Sequence, residues 1–91
     1  MHIELRYFAA VREKLGMAQE ALDVPDDVRS VDALRALLRA RGGVWAETLA
    51  EGRAVRIAFN HVMINADAAG VVDVPLSDGC EVAFFPPVTG G

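Results

Sequence analysis

The sequence predicts an α+β fold in which one sheet packs against one main helix. Apolar and polar residues alternate near both ends of the chain at the period of two that is typical of strands, and an apolar repeat at helical spacing lies between these segments. The chain has 91 residues, enough for one domain with a single modest core. A sheet with its main helix against one face is the simplest arrangement for such elements.

The first half of the chain is predicted to alternate between strands and helices. Every second residue is apolar from Ile3 to Tyr7, which predicts a first strand over residues 2–8. A short helix is predicted over residues 9–15, because Gly16 behind it can adopt the left-handed backbone angles of a helix C-terminus. Residues 18–24 return to an extended pattern, which a proline and two aspartates close with a turn.

The clearest prediction is a helix that begins after Ser30. The hydroxyl of this serine suits a helix N-cap, and Gly42 and Gly43 suit a helix end. Between them, one side of the helix is predicted to be a stripe formed by Val31, Leu34, Leu37, Leu38 and Arg41.

The second half of the chain is predicted to complete the sheet. Trp45 and Leu49 lie four residues apart, which predicts a short helical turn. Alternating apolar residues before and after Asn60 and His61 predict a hairpin. In chain order, the predicted elements are a helical turn over residues 44–50, strands over 55–59 and 62–65, a loop over 66–70, a short edge strand over 71–74 and a last strand over 80–85.

Composition and charge exclude several classes of protein. Apolar residues make up 53% of the chain, which excludes a disordered protein, and no apolar run approaches the ~20 residues that cross a bilayer. The net charge of −4 argues against a nucleic-acid partner, since phosphate binding needs a concentrated basic surface. The chain shows no secretory signal, and its single cysteine cannot form an internal disulfide. We therefore expect a cytoplasmic protein with no membrane or nucleic-acid partner.

The C-terminal end is the most informative segment, with the sequence Phe84-Phe85-Pro86-Pro87-Val88-Thr89-Gly90-Gly91. Glycine has no Cβ atom, so a diglycine can enter a channel that is too narrow for other residues. The terminal carboxylate is ionised at neutral pH and becomes reactive only after another enzyme activates it. The sequence therefore predicts a tail that is a substrate for activation. The simpler alternative is a disordered, glycine-rich chain end.

Two segments carry a resemblance to a known family. Residues 75–91, Pro-Leu-Ser-Asp-Gly-Cys-Glu-Val-Ala-Phe-Phe-Pro-Pro-Val-Thr-Gly-Gly, resemble the end of the small subunits of molybdopterin synthase, the MoaD-type sulfur carriers. Residues 7–13, Tyr-Phe-Ala-Ala-Val-Arg-Glu, resemble the first strand and helix of that family. The resemblance spans the whole chain, and its tail is far more specific than a diglycine alone. Cys80 departs from the family, in which an acidic residue is common there, and we expect this to alter only a surface contact.

The resemblance implies a ubiquitin-like β-grasp fold, a mixed sheet packed against one main helix plus short helices. It implies a β-grasp domain over residues 1–85 and a flexible diglycine tail over residues 86–91. In that fold the first and last strands are neighbours, so the tail would leave a rigid element in a fixed direction. Strand alternation places Phe85 on the face opposite to Val82 and Phe84. Because no second helix is predicted to cover that face, we expect Phe85 to contact a partner.

The resemblance also implies a function in sulfur transfer. A ubiquitin-activating-like adenylyltransferase would use ATP to adenylate Gly91, and a sulfur donor protein would help to convert this residue to a thiocarboxylate. The sulfur would then attack cyclic pyranopterin monophosphate in the large subunit of molybdopterin synthase and form the molybdopterin dithiolene. This chain would bind no cofactor itself, in keeping with its lack of a G-x-x-x-x-G-K phosphate-binding loop. The residues expected to insert with Gly91 into the large subunit are Pro86, Pro87, Val88, Thr89 and Gly90.

Two other kinds of function stay open. The chain would alternatively be a carrier for thiamine synthesis or tRNA thiolation, or a ubiquitin-like modifier joined through Gly91 to lysines. A plain β-grasp binding module is the third possibility, and a thiocarboxylate on the purified protein would eliminate it. Residues 85–89 favour the pterin pathway over the related carriers.

The remaining polar candidates have simpler structural explanations. We expect Cys80 to be structural, since no basic cluster lies near it in the sequence to lower the pKa of a thiol. His2 and His61 lack partners at metal-site spacing, so we expect no metal site. Charges on the outer side of an amphipathic helix usually form a solvated face. We expect this of the basic stripe on the main helix, which consists of Arg35, Arg39 and Arg41.

Overall fold

The computed structural model describes residues 1–65 and 73–87. Strands and helices alternate along the first half of this part of the chain, and strands dominate the second half. In chain order the elements are β1 (His2–Tyr7), α1 (Ala9–Leu15), β2 (Gln19–Asp23), α2 (Val31–Arg39), α3 (Val44–Thr48), β3 (Arg56–Phe59), β4 (Val62–Met63) and β5 (Glu81–Phe85).

The strands form one mixed sheet in the order β2-β1-β5-β3-β4. β1 and β5 run parallel at its centre, with Leu5 opposite Val82 and Tyr7 opposite Phe84. The other neighbouring strands pair in antiparallel fashion. The expected adjacency of the first and last strands is therefore confirmed. A mixed sheet with one main helix and two shorter ones also confirms the α+β class and the β-grasp arrangement.

The core lies between one face of the sheet and the helices. Its largest fully buried side chains come from β1, β5, β3, α2 and the residue after α3. They are Ile3, Leu5, Tyr7, Val31, Leu34, Leu38, Leu49, Ile57, Val82 and Phe84. Successive side chains of a strand point to opposite faces, so burial of every second residue of β1 leaves His2, Glu4 and Arg6 exposed on the other face. We call that other face the open face.

The start of α2 is confirmed, and its end comes earlier than the glycine pair suggested. The Ser30 hydroxyl accepts a hydrogen bond of 3.1 Å from the Ala33 amide, which caps the helix. The helix ends at Arg39, and the following residues form a turn in which the Arg41 amide donates to the Leu38 carbonyl at 3.1 Å. This turn carries the chain away from the axis of α2 before α3 begins.

The expectation of a solvated arginine face is wrong for Arg35, whose exposed fraction is only 7%. Its guanidinium donates to the carbonyls of Leu49, Ala50 and Arg53 at 2.9, 2.7 and 2.7 Å. Burial lowers the pKa of Arg35, although an arginine stays charged at any physiological pH. The three carbonyls belong to the segment between α3 and β3, so Arg35 holds this segment against α2. The helical pattern of the sequence did not predict the burial of Arg35, because its hydrogen-bond acceptors are backbone atoms of another segment.

The other two arginines are also paired, and they do not continue a stripe. Arg41 donates to both carboxylate oxygens of Glu20 at 2.7 and 3.0 Å, and its guanidinium carbon lies 4.3 Å from the centroid of the Trp45 ring. Arg39 lies 3.7 Å from the exposed carboxylate of Glu51. The three arginines therefore have separate partners, backbone carbonyls for Arg35 and carboxylates for Arg39 and Arg41, and do not form one basic surface.

The hairpin between β3 and β4 is confirmed, but its second strand is shorter than predicted. Asn60 and His61 have φ angles of 47° and 71°, which is the left-handed backbone of a two-residue hairpin turn. β4 ends at Met63, and the Asn65 side chain accepts from the Ile57 amide and donates to the Val55 carbonyl at 2.8 Å. One amide side chain thus satisfies one backbone group of β3 and one of the residue just before it, which a longer β4 would have paired.

The predictions for residues 66–74 have a mixed outcome. The loop over residues 66–70 and the first half of the edge strand, residues 71 and 72, lie outside the described residues. Asp73 and Val74 form no strand, and only Pro75 makes an isolated bridge, to Ser30. The last strand begins at Glu81, one residue later than predicted.

Candidate functional site at the base of the C-terminal tail

The tail leaves the domain from the middle of the sheet. β5 lies between β1 and β3, and the Phe8 amide extends the pairing with β1 by donating to the Phe84 carbonyl at 3.1 Å. Pro86 and Pro87 follow β5 directly. The predicted tail residues Val88, Thr89, Gly90 and Gly91 lie outside the described residues. The base of the tail is therefore held on both sides by neighbouring segments.

Two phenylalanine rings stack beside this exit. The ring centroids of Phe8 and Phe85 are 4.6 Å apart and the ring planes differ by 5°. Phe8 is 37% exposed and Phe85 is half-buried, whereas Phe84 is fully buried against Tyr7. The structure thus places Phe85 on the open face as expected, while its contact with a partner stays a prediction. Phe8 was missed as a site residue, although its alternation with Arg6 already indicated this face.

Next to the aromatic pair, the open face has a flat floor of small side chains. Ala58 and Ala83 lie directly opposite each other in β3 and β5, and Met63 of β4 lies opposite Ala58. Both alanines are buried, with exposed fractions of 7% and 4%, so neighbouring side chains already cover most of this floor. The apolar surface that remains for a partner here is therefore mainly that of the two phenylalanine rings, and aromatic side chains are typical of the centre of a protein interface.

A charged border lies on the same face at the other end of β5. The Glu81 carboxylate accepts a hydrogen bond from Arg6 Nε at 2.6 Å and lies 3.3 Å from His61 Nδ1. The Asn60 side chain accepts from the Glu81 amide at 2.9 Å, which fixes the hairpin turn against β5. The apolar floor is therefore bounded by polar groups that are already paired within the domain.

A cleft of about 360 Å³ opens on the other side of the exit, between α1 and the segment that leads into β3. Its lining combines the two prolines of the tail base with apolar, polar and cationic side chains. The lining includes Lys14, Arg53, Val55, Pro86 and Pro87. The tail base thus follows Phe85 of the aromatic pair directly in the chain and lines this cleft.

Cys80 is buried, with an exposed fraction of 3%, and it belongs to the hydrophobic core. The expectation that this residue alters only a surface contact is therefore wrong. Cys80 continues the alternation of Val82 and Phe84 towards the core, so a residue just before β5 still points inwards. A structural role for the cysteine agrees with this burial.

The two histidines lie apart and bind carboxylates. His2 Nε2 lies 2.8 Å from Glu4 Oε1, and this hydrogen bond is the main reason why the pKa of His2 is raised. His61 lies beside Glu81 instead. Within residues 1–65 and 73–87, no group of three or more His, Cys, Asp or Glu residues is placed to hold a metal ion. In the same part of the chain, none of the helices has the length and apolar character needed to span a membrane.

Comparisons with known proteins agree with the resemblance of the tail. The ThiS family model matches residues 5–91. The molybdopterin synthase sulfur carrier subunit of Escherichia coli (strain K12) is 42% identical over 89 residues, which cover 98% of this chain and 99% of that protein. Small archaeal modifier protein 3 of Haloferax volcanii is 33% identical over 96 residues, with 100% of both chains covered. A solved complex of subunits 1 and 2 of the molybdopterin-converting factor from Helicobacter pylori 26695 matches with a TM-score of 0.65 and 25% identity, over 100% of both chains.

Proposed function

Because the chain belongs to the ThiS family, we propose that it is the sulfur carrier subunit of a molybdopterin synthase. The observation that carries this proposal is the motif Phe-Phe-Pro-Pro-Val-Thr-Gly-Gly, which ends a chain related over nearly its full length to a carrier of this kind. The position of the tail base on a central strand supports the proposal. A tail that must reach a distant reaction centre works best when its starting point and direction are fixed.

In this proposal the reacting atom is the carboxyl carbon of Gly91. An adenylyltransferase of the ubiquitin-activating type joins the carboxylate to AMP from ATP, with release of pyrophosphate. Sulfur from a donor protein then replaces AMP, so that a carbon–sulfur bond forms where the carbon–oxygen bond to the phosphate breaks. The sulfur of the resulting thiocarboxylate bonds to cyclic pyranopterin monophosphate, and water then breaks the carbon–sulfur bond to Gly91 and restores its carboxylate. Two such deliveries complete the molybdopterin dithiolene. We place these steps in the cytoplasm.

The described residues have a binding role in this reaction rather than a chemical one. Phe8 and Phe85 are proposed to dock on the large synthase subunit, since a partly exposed, stacked aromatic pair on an uncovered sheet face suits a protein partner. The related Helicobacter pylori subunits form a complex of subunit 1 with subunit 2. Pro86 and Pro87 restrict the backbone at the tail base and so reduce the entropy lost on insertion. The tail residues 88–90 follow them into the channel, where Gly90 gives steric access.

A ubiquitin-like protein modifier is the second candidate function. It is favoured by the relation to small archaeal modifier protein 3, which covers 100% of the chain. A modifier would also be adenylated at Gly91, but its carboxyl carbon would end in an amide bond to a lysine of another protein. Intact mass separates the two outcomes, because the carrier gains one sulfur in place of one oxygen while the modifier appears in larger conjugates.

Removal of Gly91 tests the proposed chemistry directly. The truncation moves the terminal carboxylate back by one residue, up to ~3.3–3.6 Å along an extended chain, which exceeds the tolerance of a positioned reaction centre. We expect the thermal midpoint to stay close to that of the wild type, because no core residue changes. Sulfur uptake with activating enzyme, ATP and a sulfur source, followed by intact-protein mass, should fall to background.

Substitution of Gly90 provides a graded companion to the truncation. Gly90→Val adds a β-branched side chain where the tail must thread and should lose most sulfur transfer, whereas Gly90→Ala, the smaller change, should lose less. The carrier function is refuted if the protein without Gly91 gains sulfur and supports product formation as well as the full-length chain does.

A further inference from the structure

Two cations in the cleft beside the tail base have no carboxylate partner among the described residues. Lys14 of α1 and Arg53, just before β3, both line the cleft together with Pro86 and Pro87. Neither has an acidic group within 4.0 Å in the part of the chain that the structure describes. Glu51 lies only two residues before Arg53, yet its carboxylate is near Arg39 on α2 instead.

A third cation lies on the other side of the exit. Arg56 is opposite Phe85 in the sheet, and its guanidinium carbon is 6.0 Å from the centroid of that ring. Its Nε atom is buried and has no hydrogen-bond partner among the described residues. A buried donor without an acceptor is costly, and Arg56 as a whole is only partly buried, so its guanidinium gains by turning towards an acceptor that a partner supplies.

The other cations of the molecule have different surroundings. The net charge of the chain is −4, and Arg6, Arg39 and Arg41 lie beside carboxylates of the same domain. Arg12 on α1 and Arg29 also lack a carboxylate partner among the described residues. Arg12 does not line the cleft, and Arg29 lies beside Met1 and Leu76, at the opposite end of β1 from the tail base. Within the described residues, an acidic protein thus keeps Lys14, Arg53 and Arg56 without carboxylate partners beside the base of its tail.

We propose that Lys14, Arg53 and Arg56 form a cationic collar that binds carboxylates at the rim of the channel in the large synthase subunit into which the tail inserts. This inference rests on the proposed function. Guanidinium groups bind carboxylates in a planar, two-bond geometry, and complementary charges at an interface raise the association rate and fix the orientation of the partners. The collar therefore aligns the tail with the channel before Phe85 and Phe8 are buried.

Charge reversal tests the collar against the purified large subunit. We expect Lys14→Glu and Arg53→Glu each to weaken binding roughly threefold to tenfold at about 0.1 M salt, mainly through a slower association rate, and the double variant to weaken it further. The differences should shrink at about 1 M salt, where charges are screened beyond roughly 3 Å. Both side chains are exposed, so the variants should fold, and thermal melts verify this.

Arg29→Glu is the matched control, because it makes the same change of charge on an exposed residue at the far end of the domain. It should change the affinity less than twofold. Arg56→Gln keeps a hydrogen-bond donor but removes the charge, and it should weaken binding at about 0.1 M salt without affecting the thermal midpoint.

The outcomes separate the collar from the function on which it rests. The collar is refuted if the Lys14 and Arg53 variants bind like the wild type, or if Arg29→Glu weakens binding as much as they do, since the effect would then reflect net charge alone. A wild-type protein that neither binds the large subunit nor gains sulfur at Gly91 would instead refute the proposed function.

Discussion

Two aromatic pairs are built from consecutive residues of the same two segments. Tyr7 and Phe84 lie on the covered face of the sheet, against the helices, and Phe8 and Phe85 lie on the open face. The rings of the first pair are 6.0 Å apart with planes that differ by 17°, and both side chains are buried. The rings of the second pair are 4.6 Å apart, and Phe8 remains 37% exposed. A shift of one residue along β1 and β5 therefore separates aromatic residues that stabilise the fold from aromatic residues that are available to a partner.

The surroundings of the two pairs explain the difference. Tyr7 also packs edge-to-face against Trp45 at 5.6 Å, and its hydroxyl donates to Glu20 at 2.9 Å. Tyr7 is thus fixed by residues of α3 and β2 as well as by Phe84. Among the described residues, the only further aromatic or cationic neighbour of Phe8 and Phe85 is Arg56. Its guanidinium carbon lies 6.0 Å from the centroid of the Phe85 ring. Their remaining apolar surface gains energy only when another molecule covers it.

Phe84→Ala gives the largest expected effect, because it removes a fully buried ring from the covered pair. The loss of about 3–5 kcal/mol is comparable to the whole stability of a small domain, so the variant should be partly or wholly unfolded. Urea denaturation followed by circular dichroism measures it. Phe85→Ala is the control on the same strand and should cost clearly less stability. Equal losses for the two variants would contradict the division between the faces.

Phe85→Ala gives the second largest effect, and it acts on binding. The variant should weaken the complex with the large subunit by about 2 kcal/mol or more while the isolated domain stays folded, since central aromatic residues carry much of the energy of an interface. Calorimetric titration measures the change. Val62→Ala also truncates an exposed apolar side chain, away from the stacked pair, and should leave the affinity unchanged. An unaltered affinity of Phe85→Ala would remove Phe85 from the interface.

The sequence predicted those parts of the fold that depend on local pattern. Alternation located β1 and β5 to within one residue at each end, and Ser30 marked the start of α2. The stated alternation also placed Phe85 on the correct face. The adjacency of β1 and β5 was predicted from the family resemblance. The alternation within a strand indicates which face each residue occupies, but not which distant strand it pairs with.

The errors concern side chains whose partners are backbone atoms or distant residues. Arg35 looked like a surface charge, but it binds three carbonyls of a segment that begins 14 residues later. The sequence pattern placed Asn65 in a strand, but its side chain instead forms hydrogen bonds with the backbone of Val55 and Ile57 that a longer strand would have formed. At the site, Phe8 was missed because stacking with Phe85 joins residues from opposite ends of the chain. The lone cations of the cleft became apparent only once the positions of their neighbours were known.

The smallest expected effect concerns the polar anchor of the covered pair, Glu20. Burial acts to raise the pKa of Glu20, but its hydrogen bonds with Arg41 and Tyr7 outweigh burial and lower this pKa below the ordinary value of 4.5. The unfolded chain therefore takes up a proton at a higher pH than the folded domain does. The stability that Glu20 contributes is fully present above pH 4.5 and is lost as the pH falls through the folded pKa.

Glu20→Gln isolates this contribution, because it keeps the shape of the side chain and removes its charge. At neutral pH the variant should be less stable than the wild type by about 1 kcal/mol or less, as is usual for a partly exposed ion pair. Urea denaturation from about pH 7 to about pH 3 should show the two free energies of unfolding converging below the ordinary carboxyl pKa. A gap that stays constant over this range would mean that the charge of Glu20 does not stabilise the Tyr7 side of the sheet.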